Sequence, residues 1–257
     1  MANNARAART PRVPMTSARK TALVAGIFYL ITFISIPTLG LYGNLKTDLA
    51  FVTTPGSSTA ILWGAFLEVI VALAGMGTAV TLFPVVKRQN EGMALGFVTV
   101  RTLEAAMIFT GVLSLLALVH LRGGLATTPG ADTGALETVG AALVAVYKGT
   151  ALLGQTLMPC LSAILLGTLM YRSRLVPRAL PVMGLIGAPL LIASTIAVFF
   201  GVIEPISVWS GIATLPVALW ELSLGLWLTF KGFKPSPLTD SPVDVRAPHA
   251  VMASASS

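Results

Sequence analysis

Six stretches of the chain stay apolar for more than twenty residues each, and most of its charged residues collect between them. They run over residues 21–42, 60–86, 93–119, 150–171, 180–202 and 207–230. At 1.5 Å rise per residue, the shortest reaches roughly 33 Å as a helix, enough to cross a hydrocarbon core of about 30 Å. The runs are continuous and not alternating, so they predict helices and not the strands of a barrel, the other structure that satisfies its own backbone in lipid. The pattern therefore predicts an all-α polytopic membrane protein, with six transmembrane helices in one bundle over residues 21–231. Residues 1–20 are basic and polar, and residues 232–257 are rich in Pro, Ser and Ala. Both tails lack the large apolar residues that bury a core, and are expected to be disordered.

Lys and Arg fix an expected orientation, because cytoplasmic flanks collect them. Arg6, Arg9, Arg12, Arg19 and Lys20 precede the first span, and Lys87 and Arg88 lie between the second and third. Arg172, Arg174 and Arg178 lie between the fourth and fifth, and Lys231, Lys234 and Arg246 follow the sixth. The alternate loops hold only Lys46 and Arg122, so both termini are expected inside, as an even number of spans requires. A cleaved signal peptide is the competing reading of the first span. Its apolar run is longer than a signal h-region, and no small-x-small site closes it near Leu39 to Asn44.

Composition agrees with lipid as the surrounding medium. Hydrophobic residues make up 55% and charged residues 11%, with a mean hydropathy of +0.84, whereas soluble domains carry about 25% charged residues. The net charge of +7 comes from short clusters beside apolar runs, which reads as a topology signal and not as a nucleic-acid surface. The expected partner is the lipid bilayer, with no nucleic acid. Cys160 is the only cysteine, which excludes a disulfide within the chain and a CxxC redox pair.

The loop from His120 to about Gly149 is the longest on the outer side. Leu136, Val139, Leu143 and Tyr147 recur there at helical spacing after an Asp132 or Thr133 cap, which predicts a helix running into the fourth span. Such a helix either lies in the interface or lengthens that span. Pro37, Pro159, Pro189 and Pro216 lie inside spans, and each frees a backbone carbonyl, so kinks are expected. Gly75 with Ala79, and Gly184 with Ala188, are small-xxx-small pairs that allow close helix approach.

Ionisable residues inside the spans supply the candidate polar site: Glu68, Arg101, Glu104 and Glu221, with Lys148 at the outer start of the fourth span. An isolated charge at the bilayer centre costs roughly 2.5 to 3.5 kcal/mol on insertion scales, so these side chains should face the bundle and find partners. Arg101 and Glu221 lie at matched depth, about 12 to 14 Å from the inner ends of their spans, and could pair. Glu104 follows Arg101 by three residues on the same helix face. Glu68 lies in the outer half, closer in depth to Lys148 than to Arg101. The bland reading of these charges is a buried ion pair that sets helix register; the sharper one is a site for a ligand or a proton.

The two histidines, His120 and His249, lie outside the spans, and no aspartate lies within one. Ser–His catalysis, an HExxH zinc site, an aspartyl dyad and a Walker loop are therefore all unsupported, and neither a cofactor nor a metal is expected. Acid catalysis by glutamate alone is the one enzymatic route left open.

The runs RKTALVAGIFYLITFISIP, AFLEVIVALAGMGTAVTLFPVVKRQNEG, RTLE, LLGQTLMPCLSAILLGTLMYRSRLVPR, LIGAPLL and LWELSLGLWLTFKGF, in this order, resemble a bacterial membrane family catalogued as a domain of unknown function, number 4386. The resemblance covers about residues 17 to 235. It implies a multi-pass protein of the bacterial cytoplasmic membrane and brings no catalytic residues with it. Three functional readings follow: a small transporter or permease built around an Arg/Glu polar core, a non-catalytic accessory or sensory membrane protein, and a glutamate-dependent intramembrane enzyme.

Overall fold

A computed structural model describes residues 15–42, 49–53, 56–124 and 128–239. Among these residues the chain is helical and without strands: α1 (Ser17–Thr32), α2 (Thr38–Leu41), α3 (Thr59–Val86), α4 (Glu91–Gly123), α5 (Thr133–Thr150), α6 (Met158–Ser173), α7 (Ala179–Phe199) and α8 (Val208–Phe230). Short 3-10 turns cover Phe33–Ser35 and Leu49–Val52, and a π-helical segment, Ala151–Leu157, joins α5 to α6. Six of the resulting rods are long and apolar enough to cross a membrane: Ser17–Ser35, α3, α4, the continuous Thr133–Ser173, α7 and α8.

Local chemistry sets the helix ends. Asn90 accepts from the Met93 amide at 2.8 Å, Asp132 from Ala135 at 3.1 Å and Ser207 from Ser210 at 3.2 Å, each supplying an acceptor to an orphan donor of the first turn. Asp132, and not Thr133, is thus the cap of α5. At the other end of the rod, Arg174 closes α6 in the left-handed region, φ 56°.

Each span packs on its chain neighbours and the last packs on the first, so the six form a closed ring in chain order, with α4 opposite α8. Most of the large side chains left exposed on the spans are apolar, among them Leu73, Val80, Leu113 and Ile186. This outward face suits lipid. Both described chain ends lie on one face of the ring, termed proximal here. Arg19 at the start of α1 donates to the carbonyls of Leu228 (3.0 Å) and Thr229 (2.6 Å), where it meets the negative end of the α8 dipole.

The prolines act unequally. Span one unwinds after Thr32 and breaks ahead of Pro37, and the π segment ends two residues before Pro159. Pro189 and Pro216 sit within unbroken α7 and α8, as does Pro84 in the last turn of α3. The first span is therefore shorter than 21–42 at its distal end, and begins earlier, at Ser17. The helix foreseen in the longest loop lengthens the fourth span: at 41 residues the rod reaches roughly 60 Å and packs on α4, which at 33 residues is also longer than a bilayer needs.

One expectation needs correction. The segment just after α8 is packed: the Lys234 amide donates to the Leu175 carbonyl at 2.8 Å, Arg88 donates to the Leu238 carbonyl at 3.0 Å, and Phe233 and Leu238 lie against the core. Two large apolar residues in an otherwise small and polar tail are enough to hold it. The disorder expected for residues 1–14 and 240–257 concerns positions outside the described residues.

The core divides into two layers. The proximal layer gathers Tyr29, Leu82, Phe97, Leu166, Leu191 and Trp220 from all six spans. The distal layer is made by α3, α4 and α5 with Tyr42 and Val52, and includes Ala65, Ile108, Leu115 and Tyr147. Between them lies the polar centre of the protein.

Candidate functional site

Arg101 occupies the middle of the ring, 2% exposed, on the third turn of α4. Its Nη1 donates to both carboxylate oxygens of Glu104, at 3.2 and 3.0 Å, and its Nη2 donates to Glu221 Oε1 on α8. The first contact follows from i,i+3 spacing on one helix; the second crosses the ring and is the pair expected from matched depth. Together they offset part of the desolvation that a buried guanidinium suffers. The guanidinium also lies over the rings of Tyr29, 5.5 Å to the centroid, and Phe97, 6.0 Å.

Glu68 is 2% exposed on α3 and stands apart from this triad. Tyr147 donates its hydroxyl to Glu68 Oε1 at 2.6 Å, and the Tyr147 ring meets Tyr42 edge-on at 5.5 Å. Lys148, expected closer to Glu68 in depth than Arg101 is, is exposed and not part of this group. Its neighbour Tyr147 holds the inward position.

The triad and Glu68 line one cavity of about 260 Å³. Its remaining wall comes from Thr32, Phe33, Ser35 and Ile36 where span one unwinds, from Gln155 of the π segment with Pro159, from Val71 and Ile108, and from Ala218. By helical rise, Glu221 and Arg101 lie roughly 14 to 15 Å above the proximal helix ends, Glu104 about 20 Å, and Glu68, Ile36 and Gln155 about 27 Å. Ile36 and Gln155 are exposed and mark the open side, at the distal end of the cavity. The ion-paired triad forms its floor, above the proximal core layer.

Two polar atoms beside the floor, Tyr29 Oη and Arg101 Nε, are buried and meet no partner in hydrogen-bonding geometry. Groups of this kind are normally satisfied by ordered water. Among the described residues no group of three or more His, Cys, Asp or Glu side chains is placed to hold a metal ion. Cys160 is buried in the proximal layer.

Sequence reasoning found the buried Glu68, Arg101 and Glu104 and the partly buried Glu221, and missed Tyr29, Tyr42 and Tyr147. Tyr42 and Tyr147 stand at span ends, where tyrosine is a common interfacial residue, and Tyr29 within the first span carries no charge to mark it, so type and position gave no signal of an inward hydroxyl. Thr32 and Ser35, just before Pro37, carried a usable cue: polar residues beside an intramembrane proline often stand where backbone has been freed.

No curated protein and no solved structure matches this chain. A family model matches residues 24–232, which include every residue that lines the cavity. The chain belongs to the family described as Domain of unknown function (DUF4386).

Proposed function

We propose that this protein is a small-solute transporter of the bacterial cytoplasmic membrane, with both termini in the cytoplasm and the cavity as its solute site. One observation carries the reading: the buried charges line an open-sided space where a dry core would have packed around them. A floor of ion-paired side chains below a mouth on one face is the arrangement of a carrier held open to one side. The two breaks in regular helix, at Phe33–Ser35 and Ala151–Leu157, both border the cavity, and non-helical backbone within a membrane is tolerated where it lines such a space. Helix breaks at the binding site also recur in secondary transporters.

The accessory or sensory reading is favoured by a different feature, the triad itself, since Arg101 shared by two carboxylates would hold α4 and α8 together without any solute. Uptake separates the two. The purified chain in liposomes should accelerate entry of at least one of radiolabelled methylammonium, glycerol, urea and acetate, and Ala218→Phe, which fills the cavity while keeping every charge, should remove the acceleration. Entry equal to that of empty liposomes for all four solutes would leave the accessory reading.

A further inference from the structure

The cavity has a polarity as well as a volume. The hydroxyl of Thr32 donates to the Tyr29 carbonyl at 2.7 Å, and that of Ser35 donates to the Thr32 carbonyl at 3.0 Å. With these hydrogens turned onto the backbone, both oxygens keep only lone pairs for the space they line. Both terminal nitrogens of Arg101 are engaged by Glu104 and Glu221, so the guanidinium serves chiefly to neutralise carboxylates and has little left to hold an anion. Glu221 Oε1 is held by Arg101, while its side chain remains 16% accessible. Two carboxylates against one guanidinium leave one negative charge in the ionised triad, and Glu68 brings a further carboxylate to the same wall.

A second observation stands beside this charge. Tyr29 is 1% exposed, and its ring lies under the Arg101 guanidinium with the hydroxyl buried beside the triad. The phenol lies under the floor and outside the cavity lining, so the acceptors that face the space are the carboxylates and the two span-one hydroxyls. Gln155, at the mouth, brings both a donor and an acceptor.

From this we infer that the cavity binds a small monovalent cation, seated on the carboxylates of Glu221 and Glu104 with hydroxyl oxygens of span one around it. The inference rests on the reading of the cavity as the solute site. A protonated primary amine or ammonium fits best, because its N–H groups need several acceptors in a ring and its charge balances the triad; a bare alkali cation shares the charge and the oxygen ligands. The volume, just below the roughly 300 to 1,000 Å³ of pockets for drug-sized ligands, sets a small upper size.

Binding is measurable without transport, by thermal unfolding of the full chain in detergent. Ammonium, methylammonium, sodium and potassium chloride are titrated at constant ionic strength against N-methylglucamine chloride, a bulky reference cation. A saturable rise in Tm with methylammonium and ammonium is expected, because a ligand that binds only the folded state stabilises it. If sodium and potassium act equally, the site takes any small monocation; if they do not, it selects the protonated amine, and either result upholds the inference. Glu221→Gln should weaken the response on the order of tenfold or more, as loss of a charged acceptor does. Ala218→Phe should abolish it with every charge in place, so the test survives if Glu221→Gln fails to fold. No cation-dependent rise, a rise that both variants retain, or a rise with sodium acetate beyond sodium chloride would each overturn the proposal. Binding without uptake into liposomes would remove the transport reading and leave this one, whereas uptake without cation binding would do the reverse.

Discussion

Arg101 and Glu221 are ion-paired although α4 and α8 stand on opposite sides of the ring and do not pack along each other. The contact is made by two long side chains reaching to the centre, and Glu104 shares the same guanidinium. Removing Arg101 therefore exposes two carboxylates to an uncompensated interior. Arg101→Leu and Glu221→Leu should each destabilise the fold, Arg101→Leu by about 3 to 5 kcal/mol and more than Glu221→Leu. The double change leaves Glu104 alone and should recover the yield of monodisperse, detergent-extracted protein only in part; adding Glu104→Leu should recover more. Additive losses across the series would show that the three residues act separately.

The same network breaks a symmetry that depth alone suggests. Matched depth would make the charges of Arg101 and Glu221 exchangeable. With Glu104 one turn away, Arg101→Glu sets two carboxylates on one helix face, a repulsive arrangement at this spacing. The exchange Arg101→Glu with Glu221→Arg should give less folded protein than the exchange combined with Glu104→Gln, compared by size-exclusion yield.

Glycines that appear alike in sequence should respond in opposite directions. A Cβ on Gly26 would lie 2.6 Å from the Thr229 amide nitrogen and 2.8 Å from the Gly225 carbonyl, backbone atoms of α8 that cannot turn aside. One on Gly184 would lie 2.8 Å from the buried Trp220 ring, and one on Gly75 meets nothing within 4 Å. Gly26→Ala and Gly184→Ala should each cost about 1 to 3 kcal/mol by overpacking, whereas Gly75→Ala should be neutral or stabilise by roughly 0.5 to 1 kcal/mol through helix propensity. Thermal unfolding of the three variants in one detergent orders them.

Tyr147→Phe removes the donor to Glu68 at little change in volume. A loss of about 1 to 3 kcal/mol is expected, the penalty for withdrawing a hydrogen bond from a buried acceptor. Lys148→Met alters an exposed side chain beside it and should stay within about 0.5 kcal/mol. Equal losses from the two would contradict the inward placement of Tyr147.

For topology, a fluorescent-protein fusion after Thr239 should glow, as a cytoplasmic carboxyl end requires, and an alkaline phosphatase inserted at Gly130 should be active. The motive is the gathering of Lys and Arg in alternate loops. An inactive phosphatase with a dark fusion would reverse the orientation.

Much of this architecture was legible in the chain because a bilayer imposes length and polarity residue by residue. Continuous apolar runs located six helices, and the depths of Arg101 and Glu221 were enough to pair them. What stayed hidden depends on contacts between distant segments. Nothing local shows that Arg19 caps α8, that Phe233 and Leu238 return to the core, or that Tyr29 lies under Arg101. Pro159 announced a disturbance in the fourth span without revealing that seven residues before it wind more loosely.

Those seven residues decide which group Glu68 meets. A π turn takes up one residue more than an α turn, which is worth about 100° of rotation, so everything distal to Ala151 is advanced by one position around the rod. Wound as an unbroken α-helix, the chain would bring Lys148, seven residues before Gln155, onto the face that Gln155 occupies. The extra residue moves that phase on by one and gives the place to Tyr147. A neutral hydroxyl therefore faces the carboxylate where unbroken winding would have aimed an ammonium. The choice between a hydrogen bond and a salt bridge at Glu68 is made by helical pitch, about two turns away from the residue that carries it out.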